Sequence, residues 1–148
     1  MTTIVLADDH AAVRNQLHSL LEEEPGFHVI GEASDGFETV QTVESLHPDV
    51  LVLDLMMEGM NGIEVTRQLS ESWPQTKIII YSMYDNKAYV VEALQAGAKA
   101  YVLKGSNSTE LVHAISEVTT GQIYLPESLS KYSGEVKRLI NENNNSDI

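Results

Sequence analysis

Two adjacent aspartates, Asp8 and Asp9, follow the apolar run "TIVLA" at residues 3–7. A third, Asp54, follows "VLVL" at 50–53. Ser82 ends "KIIIYS", and Lys104 ends "AYVLK". Three carboxylates, a hydroxyl and an ammonium thus sit at the ends of four apolar runs. Carboxylates brought together raise one another's pKa, because each charge opposes the next. A hard divalent cation removes that penalty. Mg²⁺ takes oxygen ligands, commonly two carboxylates together with a phosphate oxygen. A carboxylate held ionised beside such an ion can attack phosphorus, as aspartyl-phosphate chemistry requires. A lysine and a hydroxyl can then stabilise the phosphoryl oxygens. Each residue alone has an ordinary explanation as a cap, a turn residue or a solvated side chain. The chemical reading rests on the set.

That set needs a scaffold that brings strand ends together. Apolar runs alternate with amphipathic stretches along the chain. Strands are expected at 3–7, 27–33, 50–54, 77–82 and 100–104. Helices are expected at 10–23, 35–46, 61–72 and 87–96, and behind Asn107. In the first helix Val13, Leu17, Leu20 and Leu21 recur at helical spacing. In the second, Phe37, Val40, Val43 and Leu46 lie on adjoining faces. Asn61 is an expected N-cap, Gly97 a C-terminal stop, and Asn107 with Glu110 a capping box. Five strand–helix pairs argue for right-handed βαβ units and a parallel sheet covered on both faces. In such sheets ligands sit beyond the carboxyl ends of the strands, where strand order reverses. Asp8, Asp9, Asp54, Ser82 and Lys104 would all lie there.

Composition narrows the function. The 148 residues carry a net charge of −13, from 22 acids and 9 bases. Such a surface repels a phosphate backbone, so nucleic acid is not an expected partner of the chain as it stands. The absence of cysteine excludes a thiolate metal site and fits a reducing compartment. No secretory signal and no membrane-length apolar run is visible. A cytoplasmic location is expected. The five histidines show no paired ligand spacing. Neither a nucleophile elbow nor a phosphate-cradling glycine–lysine loop is present.

Taken together, "LADDH", "VLVLDLMMEGMNG", "IIIYS" and "GAKAYVLKG" resemble, in order and spacing, the response-regulator receiver domain of two-component signalling, over residues 1 to about 124. The resemblance implies a flavodoxin-like (βα)5 sandwich with strand order 2-1-3-4-5. It implies Asp54 as the phosphoacceptor, loaded by a sensor histidine kinase. Asp8, Asp9, Asp54 and the Met56 carbonyl would hold Mg²⁺, and Ser82 and Lys104 would contact the phosphoryl group. Tyr101 matches an aromatic switch that turns inward as Ser82 moves toward the phosphate. Such a domain catalyses its own phosphorylation and dephosphorylation without being an enzyme in the usual sense. The kinase would dock on the first helix and the loops around Asp54. A homodimer through the face near Tyr101, or through the first and fifth helices, is a further expectation.

The sequence departs from the family at several points. Gly105 replaces the proline that often follows the lysine, and Glu58 replaces the proline of a common turn. Met83 follows Ser82 where a small residue is usual, which suggests crowding at the phosphate. Met56, Met57 and Met60 are expected to pack in the loop after the third strand. Met56 and Tyr84 cannot position an attacking water, so slow loss of phosphate is expected. A magnesium phosphatase would carry a second acid two residues after its nucleophile, where Met56 stands. An adaptor indifferent to phosphate would have no need of the full acidic set.

Residues 125–148 differ in character. They would begin another helix near Pro126 and end in the Asn-rich "NENNNSD", expected to be disordered. "LSKYSGEVKRLI" faintly resembles the opening helix of the helix-turn-helix output domain of the LuxR/NarL-type transcription regulators. Leu129, Ser130, Glu135, Val136 and Arg138 to Ile140 carry that likeness, while Lys131, Tyr132 and Ser133 depart from it. The expected function is a phosphorylation-dependent switch of transcription, acting on DNA only through an output domain missing from this chain. The alternative is a stand-alone receiver or adaptor.

Overall fold

A computed structural model describes residues 1–146, with side chains through residue 139. Five strands and five helices alternate: β1 Thr2–Ala7, α1 Ala11–Glu22, β2 Phe27–Ala33, α2 Gly36–Leu46, β3 Val50–Leu53, α3 Gly62–Ser72, β4 Lys77–Ser82, α4 Lys87–Ala96, β5 Ala100–Leu103 and α5 Ser108–Thr119. A 3₁₀ turn, Glu127–Tyr132, and α6, Ser133–Ser146, follow. All strands are parallel, in the order β2-β1-β3-β4-β5. The expected α/β, flavodoxin-like sheet is therefore the one observed.

Strand pleating divides the core between two faces. Ile4, Leu6, Val50, Val52, Ile79 and Val102 face one side, against Leu17 and Leu21 of α1 and Leu111, Ile115 and Val118 of α5. Val5, Leu51, Leu53, Ile78, Ile80 and Tyr101 face the other, against α2, α3 and α4. Burial on both faces explains why these strands are apolar at successive positions.

Helix ends follow mostly from local side chains. Asp35 caps α2 by accepting from the Glu38 amide at 2.8 Å, and Asn61 caps α3 by accepting from the Glu64 amide at 3.0 Å. The capping box expected at α5 is not formed. Asn107 Oδ1 accepts from the Thr109 amide at 3.2 Å, and the Glu110 carboxylate is taken by the Tyr124 hydroxyl instead. Of the residues on adjoining faces of α2, Val40 and Val43 are buried with Thr39, while Phe37 and Leu46 are 60% and 43% exposed. Met57 and Met60 pack on the core as expected, but the Met56 side chain is exposed.

The C-terminal segment extends the second core face. Leu129 and Val136 join the cluster that contains Tyr101, Val90 and Leu94. The Asn-rich stretch, expected to be disordered, continues the backbone of α6 as far as Ser146, since no Gly or Pro interrupts the run after Gly134. Residues 147 and 148 lie outside the described residues.

Candidate functional site

Strand order reverses between β1 and β3, whose neighbours run off in opposite directions. Asp8 and Asp54 are the residues just past these two strands. Backbone pairing continues one step beyond the ladder to fix them. The Asp8 amide donates to the Ala33 carbonyl at 3.1 Å, and the Asp54 amide to the Ala7 carbonyl at 2.9 Å. The loop behind Asp54 is pinned by close approach. The Gly62 amide donates to the Leu55 carbonyl at 2.8 Å, and a Cβ at Gly62 would lie 2.4 Å from the Asp54 carbonyl oxygen.

Asp8 and Asp54 are buried, at 3% and 7% exposure, and Asp9 is exposed. Ligand-capable atoms of Asp8, Asp9, His10 and Asp54 all lie within 4.8 Å of one another. Lys104 enters from β5. Its Nζ lies 2.7 Å from Asp8 Oδ2 and 3.5 Å from Asp54 Oδ2. Arg14 of α1 donates to the Asp8 carbonyl at 2.6 Å and pairs with Glu32 at 3.1 Å.

The electrostatics follow from this layout. Burial pushes the Asp54 carboxyl above its usual range. The charge of Asp8 adds to that push, and Lys104 and the Met56 amide only partly offset it. Burial acts on Asp8 in the same direction, but the hydrogen bonds from Lys104 and from the His10 amide outweigh it and lower its pKa. Burial would lower the Lys104 pKa, but its two carboxylate partners raise it on balance. Lys104 thus stands as the fixed counter-charge of a site with an excess of carboxylate. The donor set fits a hard divalent cation, since three carboxylates converge within ligand range and one ammonium cannot neutralise them all.

Ser82 is fully buried at the end of β4, and its Oγ accepts from the Tyr84 amide at 3.0 Å. Tyr101 is also fully buried, with its hydroxyl donating to the Tyr84 carbonyl at 2.6 Å. Ser82 and Tyr101 are therefore joined through Tyr84. Burial drives the Tyr101 phenol up to about 12. Met83, next to Ser82, is 77% exposed. Among the described residues no peptide bond is cis, so Lys104–Gly105 is trans. Gly105 has φ +87°, a conformation that suits glycine.

Two participants escape a motif reading. His10 Nδ1 lies 3.1 Å from Asp8 Oδ1 and 3.0 Å from Asp9 Oδ1. Its only signal was adjacency to the acidic pair, since no second histidine stood at ligand spacing. The Tyr84 carbonyl is a backbone acceptor, which side-chain patterns cannot announce. Of the other histidines, His18 pairs with Glu32 and His28 with Glu22, and His47 stacks on Trp73 at 3.9 Å.

Comparison with known proteins agrees with this geometry. Residues 4–116 match the response regulator receiver domain family. The transcriptional regulatory protein LiaR of Bacillus subtilis is 43% identical over 138 residues, which are 92% of this chain and 63% of that protein. The oxygen regulatory protein NreC of Staphylococcus epidermidis is 38% identical over 146 residues, covering 98% of this chain and 66% of that protein. The crystal structure of a two-component response regulator of the LuxR family from Aurantimonas sp. SI85-9A1 superposes with a TM-score of 0.87 at 34% identity, covering 93% of this chain and 98% of that one. The chain spans 59% to 66% of the length of the first curated relatives. No helix among the described residues is long and apolar enough to cross a membrane. By its matched residues, sheet order and relatives, this chain belongs to the response-regulator receiver domain family of two-component signalling, and its relatives are regulators of the LuxR/NarL type.

Proposed function

We propose that Asp54 is the phosphoacceptor of this receiver and that its loading switches transcription through a DNA-binding unit joined to this domain. The observation that carries the reading is the buried Asp8–Lys104–Asp54 cluster at the reversal of strand order. A carboxylate oxygen of Asp54 attacks phosphorus. A new O–P bond forms as the donor's P–N bond breaks, and the donor imidazole of a sensor histidine kinase keeps the bonding pair. Asp8 and Asp9, with Asp54 and the Met56 carbonyl, are the residues that would hold Mg²⁺. The ion supplies charge neutralisation for the carboxylates and the incoming phosphoryl oxygens. Lys104 shifts from its pairing with Asp8 toward the added oxygens. Ser82 donates its hydroxyl to one of them, and Tyr101, already inward, fills the space behind it.

Similarity to LiaR and DegU, both transcriptional regulatory proteins, supports the output assignment. A cytoplasmic setting, and homodimerisation through the face near Tyr101 or through α1 and α5, belong to the same proposal. The test is intact mass and sizing after incubation with a small-molecule phosphodonor and Mg²⁺. One phosphoryl mass on wild type, absent from Asp54→Ala, is the expected result. An unmodified wild type would leave the adaptor reading in its place.

A further inference from the structure

The C-terminal segment is tied to the loop that carries Ser82. The 3₁₀ turn and α6 lie against α4, with Leu129 and Val136 each 2% exposed in the core that holds Tyr101. Glu135 of α6 reaches Lys87, the first residue of α4, with Oε2 2.5 Å from Nζ. The loop from Ser82 to Lys87 is therefore held at three points. Ser82 holds it at the start through the Tyr84 amide, Tyr101 in the middle through the Tyr84 carbonyl, and Glu135 at the end. The first two anchors are the groups that answer to phosphate in the proposed mechanism. The third belongs to the tail. A crevice lined by Ile123, Leu125, Ser130, Ser133 and Lys137 runs beside Val136.

We propose that residues 127–139 form a strap on the β4–α4 loop, so that docking of α6 on α4 and phosphorylation of Asp54 favour one another. Both need the 82–87 loop in this position and Tyr101 buried. The inference rests on the phosphoacceptor reading above. Leu129 and Val136 supply the holding force by burial. The partly exposed Lys87–Glu135 pair contributes little energy and sets where α6 lands. Coupling of this kind is reciprocal, so whatever loosens the strap must also disfavour the adduct.

The experiment uses the full chain with acetyl phosphate and Mg²⁺, and follows the rate of adduct formation and hydrogen exchange over residues 127–139. Wild type should exchange more slowly in this segment once phosphorylated. Glu135→Lys and Lys87→Glu should each speed that exchange and slow phosphorylation by about two- to five-fold. The double swap should restore both readouts, which a merely structural loss would not. Val136→Asp should act in the same direction and more strongly. If it fails to fold, the two exposed charge variants keep the test intact. A wild type that takes no phosphoryl group overturns the phosphoacceptor reading and this inference with it. A wild type that is phosphorylated overturns the strap alone if the single charge variants match its rate and its exchange over 127–139 does not respond to the adduct.

Discussion

Lys104 reaches Asp8 across the edge of the sheet, with its Nζ 2.7 Å from a carboxylate oxygen of a residue 96 positions earlier. Both side chains are largely buried, at 16% and 4% exposure, and Asp54 stands behind them. Removing the ammonium leaves two carboxylates facing each other. Lys104→Met should therefore destabilise the protein by about 1–3 kcal/mol without added cation. That is less than the ~3–5 kcal/mol of a fully buried broken pair, because exposed Asp9 and His10 open one side of the site to water. Urea midpoints with and without Mg²⁺ test this. The cation should recover much of the loss, and a variant as stable as wild type in its absence would show that Lys104 does not balance the site.

Asp54 leads to the opposite sign. Its pKa is raised in the fold, by burial first and by the charge of Asp8 after that. A raised folded pKa contributes stability below the unfolded value and loses it as pH rises through the folded one. At neutral pH, then, ionised Asp54 is a cost to the fold. Asp54→Asn should melt higher than wild type near pH 7 in a chelator, and the gap should close as pH falls below 4, where the wild-type carboxyl takes its proton in both states. Mg²⁺ should raise the wild-type midpoint more than that of the variant. A variant that melts lower at pH 7 would contradict the assigned environment.

The loop behind Asp54 depends on two glycines. A Cβ at Gly62 would sit 2.4 Å from the Asp54 carbonyl oxygen and 2.9 Å from Leu55 Cα, and one at Gly36 would sit 2.1 Å from the Met60 carbonyl oxygen. Backbone on the far side of these contacts cannot yield without moving Asp54. Gly62→Ala should cost about 1–3 kcal/mol as overpacking and slow phosphorylation as well. Gly134 in α6 has no atom within 4 Å of an added Cβ, so Gly134→Ala should gain about 0.5–1 kcal/mol and serves as the control. Equal effects at the two positions would show that close approach is not what Gly62 provides.

Most of this architecture was legible from periodicity. The strands at Phe27–Ala33 and Lys77–Ser82 and the helix at Lys87–Ala96 fall at their expected bounds, because apolar runs and Gly97 mark them sharply. Convergence of Asp8, Asp54 and Lys104 followed from strand ends alone, since a parallel sheet puts all carboxyl ends on one edge. The misses share a cause, which is competition between partners distant in sequence. Glu110 left its capping box because Tyr124, folded back beside β5, offered a hydroxyl. Phe37 has helical spacing toward the core, yet it lies over Gly59 in the loop after β3 and stays exposed. His10 joins the acidic pair through geometry that spacing rules for metal ligands do not cover.

Tyr101 offers a test at high pH. Its phenol is pushed up to about 12 by burial, and its hydroxyl donates to the Tyr84 carbonyl. The folded pKa is raised, so the contribution is fully present below the unfolded value of about 10 and is lost as pH climbs from there toward 12. Tyr101→Phe should lose about 1–2 kcal/mol at pH 7, the usual consequence of leaving a buried carbonyl unpaired. It should also decline less steeply between pH 10 and 12. Burial, and then Glu110 beside it, likewise raise Tyr124 to about 12, so the comparison is cleanest in a Tyr124→Phe background. Parallel pH profiles for the two proteins would show that the Tyr101 hydroxyl does not sense the fold in this way.

The lifetime of the adduct depends on what stands beside Asp54. Met56 directs its amide at the Asp54 carboxyl while its side chain is 40% exposed, and Tyr84 is 44% exposed at the end of β4. A thioether cannot hold an attacking water, and Tyr84 carries neither a carboxamide nor an acid to position one. Loss of phosphate should therefore be slow. Met56→Asn places a carboxamide where a water could be held in line with the O–P bond, and should speed hydrolysis by roughly tenfold through positioning. Its effect on the rate of loading should be much smaller, because attack by Asp54 needs no water. Intact mass followed during incubation with the donor measures loading, and after removal of the donor it measures decay. Wild-type decay within seconds would refute the slow-loss reading, and a Met56→Asn adduct as long-lived as wild type would place the barrier somewhere other than at water positioning.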